Sequence, residues 1–108
     1  MTQSKWVRVG SVRRFDDMSD KTKFVRDIKG AAGDVDDAML AYRYGDRSTR
    51  TLEEAYRDIV LYCCADVVQA TLNLVAALGV EDFRPYLKAC ERRNREMGRI
   101  TDGKAVDE

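Results

Sequence analysis

Asp34 and Asp37 lie three residues apart, and Cys63 lies three residues before Asp66. At about 100° per residue, partners at that spacing are neighbours on one helix face. If the two segments pack as antiparallel helices, acids from both converge at one edge of the seam. Carboxylates gathered there repel one another unless a hard cation such as Mg²⁺ sits among them, held by oxygen ligands and water. The competing reading makes Asp34, Asp36 and Asp37 a solvated helical face and Asp66 one surface charge. The chain has no histidine, which removes the usual base for a Ser or Cys nucleophile and a common zinc ligand. Its three cysteines, Cys63, Cys64 and Cys90, contain no C-x-x-C pair and are odd in number. A disulfide framework and a zinc finger are therefore both excluded, and Cys63 and Cys64 read as small apolar core residues. Any hydrolysis must rest on carboxylates, and so on a metal.

Three amphipathic segments must position these groups. From about Ser19 to Tyr44, Phe24, Ile28, Ala31, Ala32, Val35, Ala38, Met39 and Tyr42 recur at steps of three and four, the period of a helix with one apolar face. Ser19 or Asp20 caps its start, and Gly45-Asp46-Arg47-Ser48-Thr49 stops it. Thr51-Leu52-Glu53-Glu54 reads as a capping box opening a second helix that runs to Leu78, with Gly79 as its terminator. That helix is apolar round much of its circumference, which in a chain of 108 residues calls for a partner beyond the chain itself. A third helix begins near Asp82, tolerates Pro85 in its first turn and ends around Met97-Gly98. The expected fold is all-α, with three main helices per chain and a four-helix-type bundle completed by oligomerisation. Residues 1–17 form an N-terminal arm, 18–99 the helical domain and 100–108 a flexible tail.

Composition narrows the function. Hydrophobic residues make up 44% and charged residues 35%, and 19 basic against 19 acidic side chains leave no net charge. That is a chain that folds, without the electrostatic pull of a non-specific nucleic-acid binder. The balance is uneven along its length. Residues 1–29 hold eight Lys/Arg and four Asp/Glu, a net of +4, and residues 30–66 hold four and eight, a net of −4. No uninterrupted apolar run reaches the roughly 18 residues of a membrane span and the start lacks a signal peptide's apolar stretch, so a cytoplasmic location away from membranes is expected.

Ala65-Asp66-Val67-Val68-Gln69-Ala70-Thr71-Leu72-Asn73-Leu74-Val75-Ala76-Ala77-Leu78-Gly79-Val80-Glu81-Asp82 closely resembles the second metal-motif helix of MazG-like nucleotide pyrophosphohydrolases. Asn94-Arg95-Glu96-Met97-Gly98-Arg99 is similar to that family's closing Asn-x-x-Arg-Gly segment. The resemblance spans roughly Lys21 to Arg99 and is closest from Ala65 to Glu81. In that family a Glu-x-x-Glu on one helix and a Glu-x-x-Asp on the next hold Mg²⁺, and a nucleoside triphosphate is split to monophosphate and pyrophosphate. The resemblance puts Asp34 and Asp37 in place of the first glutamates, each side chain one methylene shorter, and retains the second motif's aspartate as Asp66. Cys63 replaces a glutamate, and a thiol is a soft ligand, a poor match for Mg²⁺. Cys90 stands where the family often has a phosphate-reaching lysine, and Met97 where it has arginine.

By that resemblance Asp34, Asp37 and Asp66 are the metal-binding and catalytic residues, with Mg²⁺ (or Mn²⁺) as cofactor. Asn94, Lys21 and Lys88 are substrate-binding candidates, and Lys23, Arg26, Arg92 and Arg93 are further cations in reach of the same role. Trp6, Tyr42, Tyr44, Tyr56 and Tyr62 supply aromatic faces on which a base can stack, or serve in packing. The expected partners are a nucleoside triphosphate and further copies of the chain, as homodimer or homotetramer. The alternative from another class is a catalytically degenerate relative that binds nucleotide or protein without hydrolysis. A remoter one has Arg8, Arg13 and Arg14 of the arm contacting DNA phosphates.

Overall fold

Apolar residues at alternating four- and three-residue steps form the seam of an antiparallel helical hairpin. In the computed structural model, which describes residues 6–101, α1 runs Lys21–Tyr44, α2 Arg50–Ala77 and α3 Arg84–Glu96. No strand occurs among the described residues. Phe24, Ile28, Ala31, Val35, Ala38 and Tyr42 of α1 are buried or half-buried, as are Tyr56, Val60, Cys63, Val67, Ala70, Leu74 and Ala77 of α2. The buried alanines Ala31, Ala38 and Ala70 suit helices whose backbones approach closely, towards the lower end of the roughly 8–10 Å range of helix packing. α1 and α2 are the one pair of helices in contact among the described residues, and α3 touches neither.

Capping explains each boundary. Asp20 is extended and its side chain accepts from the Lys23 N–H, satisfying one orphan donor of α1. At the other end the Gly45 N–H donates to the Ala41 carbonyl at 2.7 Å. A Cβ on Gly45 would stand 2.8 Å from the Tyr56 ring, so the hairpin turn needs glycine for close approach. The cap of α2 is Thr49, not the expected Thr51. Thr49 is extended and its Oγ1 accepts from the Leu52 N–H at 3.2 Å. Glu54 reaches Arg50 at 3.7 Å instead of closing a capping box. The turn therefore ends two residues early, and Thr51 already lies inside the helix. α2 and α3 both end in a Schellman motif, with Gly79 and Gly98 at φ of +84° and +78°. Val80 N–H reaches the Val75 carbonyl, and Arg99 N–H the Asn94 carbonyl.

The arm is irregular from Trp6 onwards and is fastened to α2 by hydrogen bonds. The Phe15 N–H donates to Asn73 Oδ1 at 2.9 Å. Gln69 Nε2 donates to the Arg13 carbonyl at 3.0 Å and to Asn73 Oδ1 at 3.1 Å. Asn73 is 1% exposed, and its Nδ2 has no hydrogen-bond partner among the described residues. Arg13 and Arg14 turn back onto the carbonyls of Arg14 and Phe15, and Arg13 pairs with Asp16. The expected residues 1–5 of the arm and 102–108 of the tail lie outside the described residues.

Replacing Asn73 with alanine leaves the Phe15 N–H without its acceptor, a loss of about 1–3 kcal/mol. The expected result is a lower urea midpoint together with faster tryptic cleavage after Arg13 and Arg14. Unchanged cleavage would show that the Phe15–Asn73 hydrogen bond is not what holds the arm.

By length and composition α2 can cross a membrane, with a mean hydropathy of 1.7 over its most apolar 18 residues and 11% of that window buried. Asp66, Gln69 and Asn73 interrupt the window, and the last two are occupied by the arm. The low burial reflects α2's outer faces, where Ile59, Leu61, Tyr62 and Val68 are exposed.

Candidate functional site

Asp34 and Asp37 project from the middle of α1, both exposed, beside the buried Ala31 and Ala38 and the half-buried Val35. Asp66 is exposed on α2, one turn after the half-buried Cys63. Because Cys63 occupies the seam, its thiol feels both helices. Burial pushes its pKa up, and the negative charges of Asp34 and then Asp66 push it the same way. Asp34 of α1 and Asp66 of α2 therefore lie within electrostatic reach of one side chain between them, and that thiol stays protonated at neutral pH. Cys64 is exposed, so of the adjacent pair only Cys63 takes the expected seam position; one residue turns the second thiol about 100° away.

As a donor set, these residues fit a hard cation in kind, since the three aspartates offer oxygen and the protonated thiol offers little to Mg²⁺. Within one chain they do not close. Among the described residues no three Asp, Glu or Cys side chains gather tightly enough to hold a metal ion.

The proposed phosphate contacts are dispersed. Lys21, at the first position of α1, is thirteen residues from Asp34, or roughly 20 Å along the helix axis. Asn94 belongs to the end of α3, where its Nδ2 lies 3.5 Å from Cys90 Sγ and its Oδ1 accepts from Arg99 at 3.2 Å. Lys88 lines an open groove of about 620 Å³ formed by Trp6, Arg84, Leu87, Glu91, Arg92 and Arg95. Within that groove Arg84 is engaged by Asp82 at 2.9 Å and Arg95 by Glu91 at 2.8 Å. The Arg84 guanidinium and backbone N–H hold the Asp82 carboxyl down at about 2. Since α3 contacts neither α1 nor α2, one chain does not bring Lys88 or Asn94 to the acids.

Asn73 and Gln69 were not among the sequence-derived site residues. The available signal was two amides four residues apart, Gln69 and Asn73, in a largely apolar stretch, a spacing that places both on one helix face. No family model, curated protein or solved structure matches the chain.

Proposed function

We propose that the chain is a small pyrophosphohydrolase of the MazG-like type, acting in the cytoplasm as a homodimer or homotetramer with Mg²⁺ or Mn²⁺. Its substrate is a nucleoside triphosphate and its products are the monophosphate and pyrophosphate. The observation that carries this reading is the convergence on Cys63 of Asp34 from α1 and Asp66 from α2, the two helices on which the resemblance puts paired acids. Asp34, Asp37 and Asp66 would hold the ion. When bound, such an ion neutralises phosphate charge and lowers the pKa of the attacking water. The α1–α2 seam would fix the two acidic edges relative to each other.

The test is pyrophosphate release from a panel of nucleoside triphosphates with Mg²⁺ and with Mn²⁺. Asp66→Asn is expected to lower it at least about 100-fold, the upper range for disturbing a metal's surroundings. Release that Asp66→Asn leaves unchanged would belong to a contaminant. A second reading, a nucleotide-binding module without hydrolysis, is favoured by the protonated Cys63 and by the acids that do not close within one chain. Calorimetric binding of a triphosphate by a folded protein that releases no pyrophosphate would decide for it.

A further inference from the structure

A triphosphate at the acidic edge needs cations, and α3, which carries Lys88 and Asn94, packs on neither α1 nor α2. The arm is closer. Asp66, Gln69 and Asn73 follow one another at steps of three and four, which lines them along one face of α2. The arm is moored to that face at two main-chain atoms. Gln69 Nε2 donates to the Arg13 carbonyl at 3.0 Å, and Asn73 Oδ1 accepts from the Phe15 N–H at 2.9 Å. Gln69 follows Asp66 by three residues, about 4.5 Å along the helix axis. Arg13 is therefore anchored within one turn of Asp66, and Arg14 lies between the two moorings.

Both guanidinium groups are available there. The moorings use only the arm's main chain, so they fix where the arm lies without engaging either arginine side chain. Arg13 is 77% exposed and pairs at 3.1 Å with Asp16, itself 93% exposed, a kind of ion pair that solvent makes weak. Arg14 is exposed and donates to the carbonyls of Phe15 and Asp16; it pairs with no acid among the described residues. With Phe15 and Asp16 the two arginines line an open concavity of about 520 Å³, roomy enough for a triphosphate tail. A guanidinium is weakly hydrated and presents a planar fork of donors that matches phosphate oxygens two at a time. A carbonyl or an exposed carboxylate holds such a group loosely, and a polyphosphate, with charges on adjacent groups, takes it from them.

We infer that Arg13 and Arg14 close over the triphosphate of a nucleotide held at the α1–α2 edge, with Gln69 and Asn73 as the positioning residues that keep them there. The arm is then a wall of the binding site, supplied by the same chain as the acids. The inference rests on the proposed reading of that edge as a nucleotide site, in its hydrolytic or its binding form.

The test compares the full-length chain with three variants. Arg13→Gln/Arg14→Gln removes both cations, and Gln69→Leu keeps them but removes one mooring. Arg50→Gln/Arg57→Gln makes the same charge change towards the start of α2. Calorimetry with Mg²⁺ gives the Kd of inorganic tripolyphosphate and of each nucleoside triphosphate, and KM and kcat are read wherever pyrophosphate is released. The arginine pair is expected to raise both Kd and KM at least about tenfold, as loss of charge-assisted bonds to phosphate does. Its kcat is expected to stay within about threefold, because a contact made equally before and during reaction moves KM alone. Gln69→Leu is expected to shift Kd and KM the same way, and the Arg50/Arg57 control to stay within about twofold of wild type. Both arm side chains are exposed, so helical circular dichroism stays as in wild type. A wild type that binds triphosphate, with the arginine pair binding it equally well, overturns this inference alone. So does equal weakening by the control, which would reduce the effect to bulk charge. A wild type that binds neither tripolyphosphate nor any nucleoside triphosphate, and releases no pyrophosphate, overturns the reading of the edge and this inference with it.

Discussion

Cys63→Glu acquires or raises Mg²⁺-dependent pyrophosphate release by at least about tenfold, the lower range for repairing a metal's surroundings. The substitution puts a fourth carboxylate at the seam position between Asp34 and Asp66, in place of a thiol whose proton both acids help to retain. The change has a cost without the ion. Glutamate is larger than cysteine at a half-buried seam position where alanines line the neighbouring turns, and overpacking of that kind costs about 1–3 kcal/mol. Like charge from Asp34 and Asp66 adds to it. The metal-free variant should therefore melt about 5–20 °C below wild type, since 1 kcal/mol shifts a domain of this size by about 4–8 °C. Magnesium at 100 times its dissociation constant returns about 2.7 kcal/mol. Thermal melts with and without Mg²⁺, beside the release assay, read both effects. A variant that folds, melts alike in both conditions and releases nothing shows that the edge between α1 and α2 holds no metal.

Phe24→Ala is expected to lose about 3–5 kcal/mol, the range for a buried phenylalanine truncated to alanine. Phe24 is 2% exposed and is the one large apolar side chain that α1 and α2 bury fully; the other buried apolar residues are Ala31, Ala38 and Ala70. A core of alanines has little spare apolar area, and total stabilities of about 5–15 kcal/mol leave such a hairpin close to unfolding. Urea titration followed at 222 nm measures the loss. Val25→Ala, one position along at an exposed side chain, should stay within about 0.5 kcal/mol of wild type. Equal losses at the two positions would mean that burial of the ring does not decide the stability of α1, since alanine is the better helix former at both.

The helices were legible because their evidence is local. Phe24 through Tyr42 keep a helical period, Gly45 stops α1, and Gly79 and Gly98 end α2 and α3 in left-handed turns. The start of α2 was harder. Thr49 and Thr51 are both plausible caps, and Glu54 three residues after Thr51 favours the wrong one. The cap is Thr49, whose Oγ1 accepts from the Leu52 N–H, and Glu54 pairs with Arg50. The acidic edge was legible in part. Helical spacing puts Asp66 beside Cys63 on α2, yet spacing along a helix does not give the distance across the seam to Asp34, and among the described residues no three acids gather tightly enough to hold an ion. The isolation of α3 could not be read at all, since an amphipathic helix looks the same whether its apolar face meets its own chain or another.

The fastening of the arm to Asn73 also sets an order of events during synthesis. Phe15 and Asn73 are 58 residues apart, and ribosomes add roughly 5–20 residues per second, so the arm leaves the ribosome about 3–12 seconds before its anchor is made. The last turns of α1 have no such wait, because the turn at Gly45 hands them the start of α2 at once. The segment that emerges early is thus the one that settles late, and Trp6, Val7 and Val9 stay in reach of chaperones for the whole of that interval.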